Sequence, residues 1–134
     1  MRKVLIVVLA LLLVPVVAVA ATTMREGLWE ITTQMEMPGM PMKMPATVMK
    51  HCYTKNDVSD QKKIISRDKN CTVTDLKTSA NKVNWKMKCT GENSATMTGE
   101  TVFGSDSYTS LMKMNSHGQN MTMKVKGKRL GACK

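Results

Sequence analysis

The sequence predicts a mainly β protein, an antiparallel meander of six or seven strands forming a curved sheet or small barrel, with one short helix. Three observations predict it. Apolar and polar residues alternate with period two through several segments. Turn-forming residues separate those segments at regular spacing. Four cysteines in a chain of 134 residues follow an N-terminal export pattern.

Arg2 and Lys3 form a short positive start, and Val4 to Val14 is an unbroken apolar run of eleven residues. Pro15 interrupts it, and Ala18-Val19-Ala20 supplies small residues at a cleavage site. That order is the secretory-signal pattern. A membrane anchor is the competing reading, since Val4 to Ala21 carries no charge; a spanning helix needs about 20 apolar residues. Pro15 and the Ala-rich end favour cleavage after Ala20. Residues 1–20 are thus expected to be a signal peptide and residues 21–134 a single domain.

Gly27 to Met37 places Trp29, Ile31, Thr33, Met35 and Met37 on one face and Leu28, Glu30, Thr32, Gln34 and Glu36 on the other. Period two with one polar face predicts a half-buried strand. Pro38 to Pro45 contains three prolines and a glycine and reads as a loop, because proline lacks the N–H that a sheet requires. Ala46 to Tyr53 resumes as a strand. Thr54 to Ser66 is the helix candidate, with Thr54 as its cap and Asp57 three residues later. From Cys71 the chain reads as hairpins: Cys71 to Thr78, Lys82 to Cys89, Ala95 to Phe103, Ser107 to Asn115 and Asn120 to Arg129. Such a sheet has to protect its edges, hence the expected curvature.

Cys52, Cys71, Cys89 and Cys133 all follow the leader, and an even count in a small exported chain predicts two disulfides. Their gaps of 19, 18 and 44 residues lack the short ligand pairs of zinc sites. A turn centred on Ala80 makes residues that sum to about 160 face one another, as Cys71 and Cys89 do. That favours Cys71–Cys89 with Cys52–Cys133. A one-residue shift of the turn would weaken it, so the other two pairings stay open.

The segments GLWEITTQMEMPGMPMKMP, HCYTKND, VNWKMKCTG and MTMKVKGKRLGACK, together with the stretch from Gly104 to Tyr108, resemble the exported bacterial family called domain of unknown function 3617. The resemblance spans essentially the whole chain after the leader, and all four cysteines match. It implies a bacterial source and a periplasmic or envelope location. It brings no activity, cofactor or catalytic residue.

Methionine is the compositional outlier, with 14 residues. Met35, Met37, Met40, Met42 and Met44 fall within ten residues. The thioether is a soft ligand suited to Cu(I) and Ag(I), so this loop is a candidate metal site. His51 and His117 are candidate nitrogen ligands beside it. Met87, Met97, Met112, Met114, Met121 and Met123 fall at inward strand positions and read as core filler in a chain with five aromatic residues. The same adaptable side chains also suit a lipid or other apolar ligand at a barrel mouth, or a protein partner in the envelope.

Removing Arg2 and Lys3 leaves 18 basic against 10 acidic residues, lowering the net charge from +10 to +8. Export and scarce aromatics argue against nucleic acid. The strand faces Lys82, Lys86, Lys88 and Lys124, Lys126, Lys128, Arg129 read as solvated outer surfaces that discourage edge pairing. No hydrolase, zinc-protease or phosphate-loop motif occurs. The expectation is a monomeric or weakly associating exported binding protein, not an enzyme.

Overall fold

The computed structural model describes residues 24–134, so the expected signal peptide and the cleavage after Ala20 lie outside the described residues. Seven strands form one antiparallel sheet: β1 (Gly27–Glu36), β2 (Thr47–Tyr53), β3 (Cys71–Ser79), β4 (Lys82–Cys89), β5 (Ala95–Phe103), β6 (Ser107–Ser116) and β7 (Gln119–Gly131). Their order is β2-β1-β7-β6-β5-β4-β3. The sheet is curved and does not close, so of the two architectures expected it takes the curved sheet. β3 to β7 form the meander. β1 pairs with both β7 and β2, which puts the first and last strands beside each other in the sheet.

Alternation fixes which way each strand faces. β4 shows it most strictly: Val83, Trp85, Met87 and Cys89 are buried, while Lys82, Asn84, Lys86 and Lys88 are exposed. The outward lysines stand in solvent, and two of them pair with carboxylates, Lys82 with Glu100 at 3.1 Å and Lys124 with Glu36 at 2.8 Å.

Between β2 and β3 the expected single helix is two short ones, α1 (Lys55–Ser59) and α2 (Gln61–Ile65). Thr54 caps α1, its backbone N–H donating to Asp57 Oδ2 at 2.8 Å and its hydroxyl accepting from the Asp57 N–H at 3.3 Å. Asp60 makes the break. Its extended backbone (φ −122°, ψ 105°) ends α1, and its carboxylate accepts the Lys62 N–H at 3.0 Å to begin α2. Aspartate competes for backbone N–H groups in this way, which makes it a better cap than a mid-helix residue.

The core lies on the concave side. All five aromatic rings are buried there: Trp29, Tyr53, Trp85, Phe103 and Tyr108. Trp29 lies 5.7 Å from Tyr108 and 6.2 Å from Tyr53, centroid to centroid, and Phe103 lies 6.2 Å from Tyr108. Such pairs add about 0.5–1.5 kcal/mol each beyond the area they bury. Val58, Ile64 and Ile65 bring the two helices onto this cluster.

Disulfides join Cys71 to Cys89 and Cys52 to Cys133. The first pair are cross-strand partners, but the turn is not centred on Ala80. Ser79 faces Lys82, so near the turn partners sum to 161, and a bulge between Val73 and Asp75 restores 160 at the cysteines. The bulge sits on the edge strand β3, where it also discourages pairing with another chain.

Candidate ligand-binding cleft

Strand register arranges the concave face in rows. In one, Met35 faces Met123, Met123 faces Met112, Met112 faces Gly99 and Gly99 faces Trp85. In the next, Met121, Met114, Met97 and Met87 follow one another across β7, β6, β5 and β4. On the other side of the first row, Thr33, Val125, Ser110, Thr101 and Val83 make a third. Two strand glycines serve this surface. A Cβ at Gly99 would meet the Trp85 ring, and one at Gly127 would meet the Tyr108 ring. Each glycine is the direct partner of its aromatic residue, so the ring can lie across the neighbouring backbone.

Under α2, the first and third rows floor a cleft of about 220 Å³. Ile31, Met49, Tyr53, Ile64 and Ile65 form its sides, and Arg67 stands at its mouth. A second hollow of about 630 Å³ continues along the strands over Met97, Met114 and Met121, bounded by the Cys71–Cys89 bridge. The polar atoms of the floor satisfy one another. Trp85 Nε1 donates to Thr101 Oγ1 at 3.0 Å, and Thr101 Oγ1 shares a 2.8 Å hydrogen bond with Ser110 Oγ. The Tyr53 and Tyr108 hydroxyls lie 3.5 Å apart.

Electrostatics separate floor from mouth. Burial, with the neighbouring Tyr53 hydroxyl, pushes the Tyr108 phenol well above its usual range, so it stays neutral. The Arg67 guanidinium carbon lies 5.9 Å from the Tyr53 ring centroid, within cation–π reach. His51 packs edge-on against Tyr53, 4.6 Å between centroids. Burial and nearby Arg67 hold its pKa below the ordinary 6.5, opposed by Asp57.

The methionines expected as core filler divide. Met87 is in the core at 6% exposure, and Met97 and Met112 pack against it. Met114, Met121 and Met123 are half-buried and lie outside the buried cluster. The candidate metal loop is also divided. Met35 ends the first row, and Met37 and Met40 share a hollow of about 290 Å³ with Met121. Met42 is 81% exposed and Met44 half-buried. His51 faces Trp29 on β2, four positions from Thr47, roughly 13 Å along the strand from the loop. Sequence reasoning missed Arg67, Tyr53, Thr101 and Ser110. Gly99 and Gly127 inside strands were the available signal, since a strand glycine marks close approach.

The chain matches the family described as "Protein of unknown function (DUF3617)" over residues 24–133 and belongs to it. No curated protein and no solved structure matches it.

Proposed function

We propose that this is an exported bacterial binding protein that holds an apolar chain on the methionine rows of its concave face, without transforming it. The observation that carries this reading is the placement of half-buried Met112, Met114, Met121 and Met123 along two hollows on neighbouring rows, the last three outside the buried cluster. Thioether chains adapt their shape to varied apolar partners. Two disulfides fit an oxidising compartment, and the leader pattern points to the periplasm. The protein works as a monomer, and its outward lysines are solvated surface, not a nucleic-acid track.

The test is native mass spectrometry of protein purified from the bacterial envelope, paired with titration of the neutral dye N-phenyl-1-naphthylamine. A retained ligand mass is expected, together with dye binding that Met112→Lys and Met123→Lys weaken. A bare chain mass and unaltered dye affinity in both variants would exclude the cleft.

A second reading rests on the Met loop, where Met40 is 59% and Met42 81% exposed and neither is committed to the core. Met35, Met37, Met40, Met42 and Met44 then offer soft ligands to Cu(I) or Ag(I), with His51 too far along β2 to join them. Competition against a Cu(I) chelator probe decides it. An affinity unchanged on replacing Met40, Met42 and Met44 by leucine removes the loop as the site.

A further inference from the structure

We infer that the ligand of the cleft is an amphiphile with one anionic headgroup, and that Arg67 receives that group at the mouth. This rests on the cleft being the binding site and adds the chemistry of the ligand's polar end.

Among the residues lining the cleft, Arg67 is the only charged one; the rest are apolar, hydroxyl-bearing or aromatic. Among the described residues no carboxylate pairs with it: the ion pairs are Arg25–Asp106, Lys55–Glu26, Lys82–Glu100 and Lys124–Glu36. Arg67 also borders a shallow hollow with Lys62, Lys63 and Lys69, where Asp68 is the sole acid. Positive side chains therefore gather around Arg67, beside the apolar cleft. Stacking 5.9 Å from the Tyr53 centroid keeps the guanidinium at this opening. A guanidinium presents a planar fork of donors suited to carboxylate or phosphate oxygens. Within the cleft, one cation without a carboxylate matches one negative charge. A zwitterionic or cationic head would leave its own positive group unanswered there. With the head at Arg67, the chain runs over Met112 and Met123 towards Met114 and Met121, the next row on β6 and β7.

The experiment uses the mature protein and four probes of one chain length: dodecanoate, dodecyl phosphate, dodecan-1-ol and dodecyltrimethylammonium, each titrated calorimetrically below its micelle concentration. Both anions are expected to bind roughly tenfold or more tightly than the alcohol, as a charge-assisted hydrogen bond allows. The order of the two anions tells a carboxylate head from a phosphate head, and either order supports the inference. Arg67→Gln should bring the anions' affinity down to that of the alcohol, with a small fall in melting temperature from the lost Tyr53 contact. Arg67→Lys should restore part of the anions' advantage. If the alcohol and the anions bind equally, or Arg67→Gln weakens all four alike, the anionic head is wrong and the apolar cleft stands. If none of the four binds, the cleft reading fails and the headgroup fails with it.

Discussion

Gly127 and Gly99 set how closely two aromatic rings approach the sheet, and each can be tested singly. Gly127→Ala puts a methyl group into the space of the Tyr108 ring. Overpacking of this kind costs about 1–3 kcal/mol, to be read from urea unfolding. Both glycines were visible in the sequence as breaks in strand composition, but nothing local named the rings that cover them. His51 is the second residue with a measurable consequence. Its folded pKa lies below the ordinary 6.5, chiefly because of burial, with Arg67 adding to the shift and Asp57 opposing it. The unfolded chain therefore binds the proton more readily. Its contribution to stability is complete above about pH 6.5 and is lost as the pH falls through the folded pKa. Thermal unfolding between pH 7.5 and 5 should show a fall in melting temperature that is smaller in His51→Gln.

Among the elements, β3 carries the most specific arrangement. The bulge between Val73 and Asp75 moves the start of the strand by one residue and so brings Cys71 opposite Cys89. Deleting Thr74 should remove the bulge and leave a regular ladder, with Val73 still opposite Met87 and Cys71 still opposite Cys89. Thiol labelling should then find all four cysteines still bonded, and any free thiol at Cys71 or Cys89 would show that the register had moved. The pairing of Cys71 with Cys89 could be argued from hairpin arithmetic, yet the bulge could not, because Thr74 has nothing in its composition to mark it. The split of the expected helix was more legible. Asp60 stands mid-segment, where a cap-forming side chain in place of a helix former predicts a break.

At the scale of the whole molecule, the two bridges differ in reach. Cys52–Cys133 spans 81 residues and Cys71–Cys89 spans 18. On the chain-entropy account they stabilise by about 4.5 and 3 kcal/mol. Replacing Cys52 and Cys133 by alanine should therefore lower unfolding stability by roughly 1 kcal/mol more than replacing the other pair. Seven strands and their inward faces were readable because alternation is a local property. Strand order was not, because the pairing of β1 with β7 joins Trp29 to Arg129 across almost the whole chain. For the same reason the cleft stayed hidden. Its methionines were marked as inward, but only register places Met35, Met123 and Met112 in one row, and Arg67 lies in a stretch with no periodicity.

The thioether rows also make the concave face a surface that oxidation can rewrite. Methionine sulfoxide is polar and is formed in the same oxidising surroundings that keep disulfides closed. The order of attack should follow exposure. Met42 and Met40 react first, the half-buried Met114, Met121 and Met123 next, and Met87 and Met24, at 6% and 4% exposure, last. Peptide mass spectrometry after graded peroxide treatment would read that order directly. The outermost methionines would then act as sacrificial scavengers, and the rows would turn hydrophilic only after that reserve is spent. Enzymatic reduction of the sulfoxides would return the face to its apolar state.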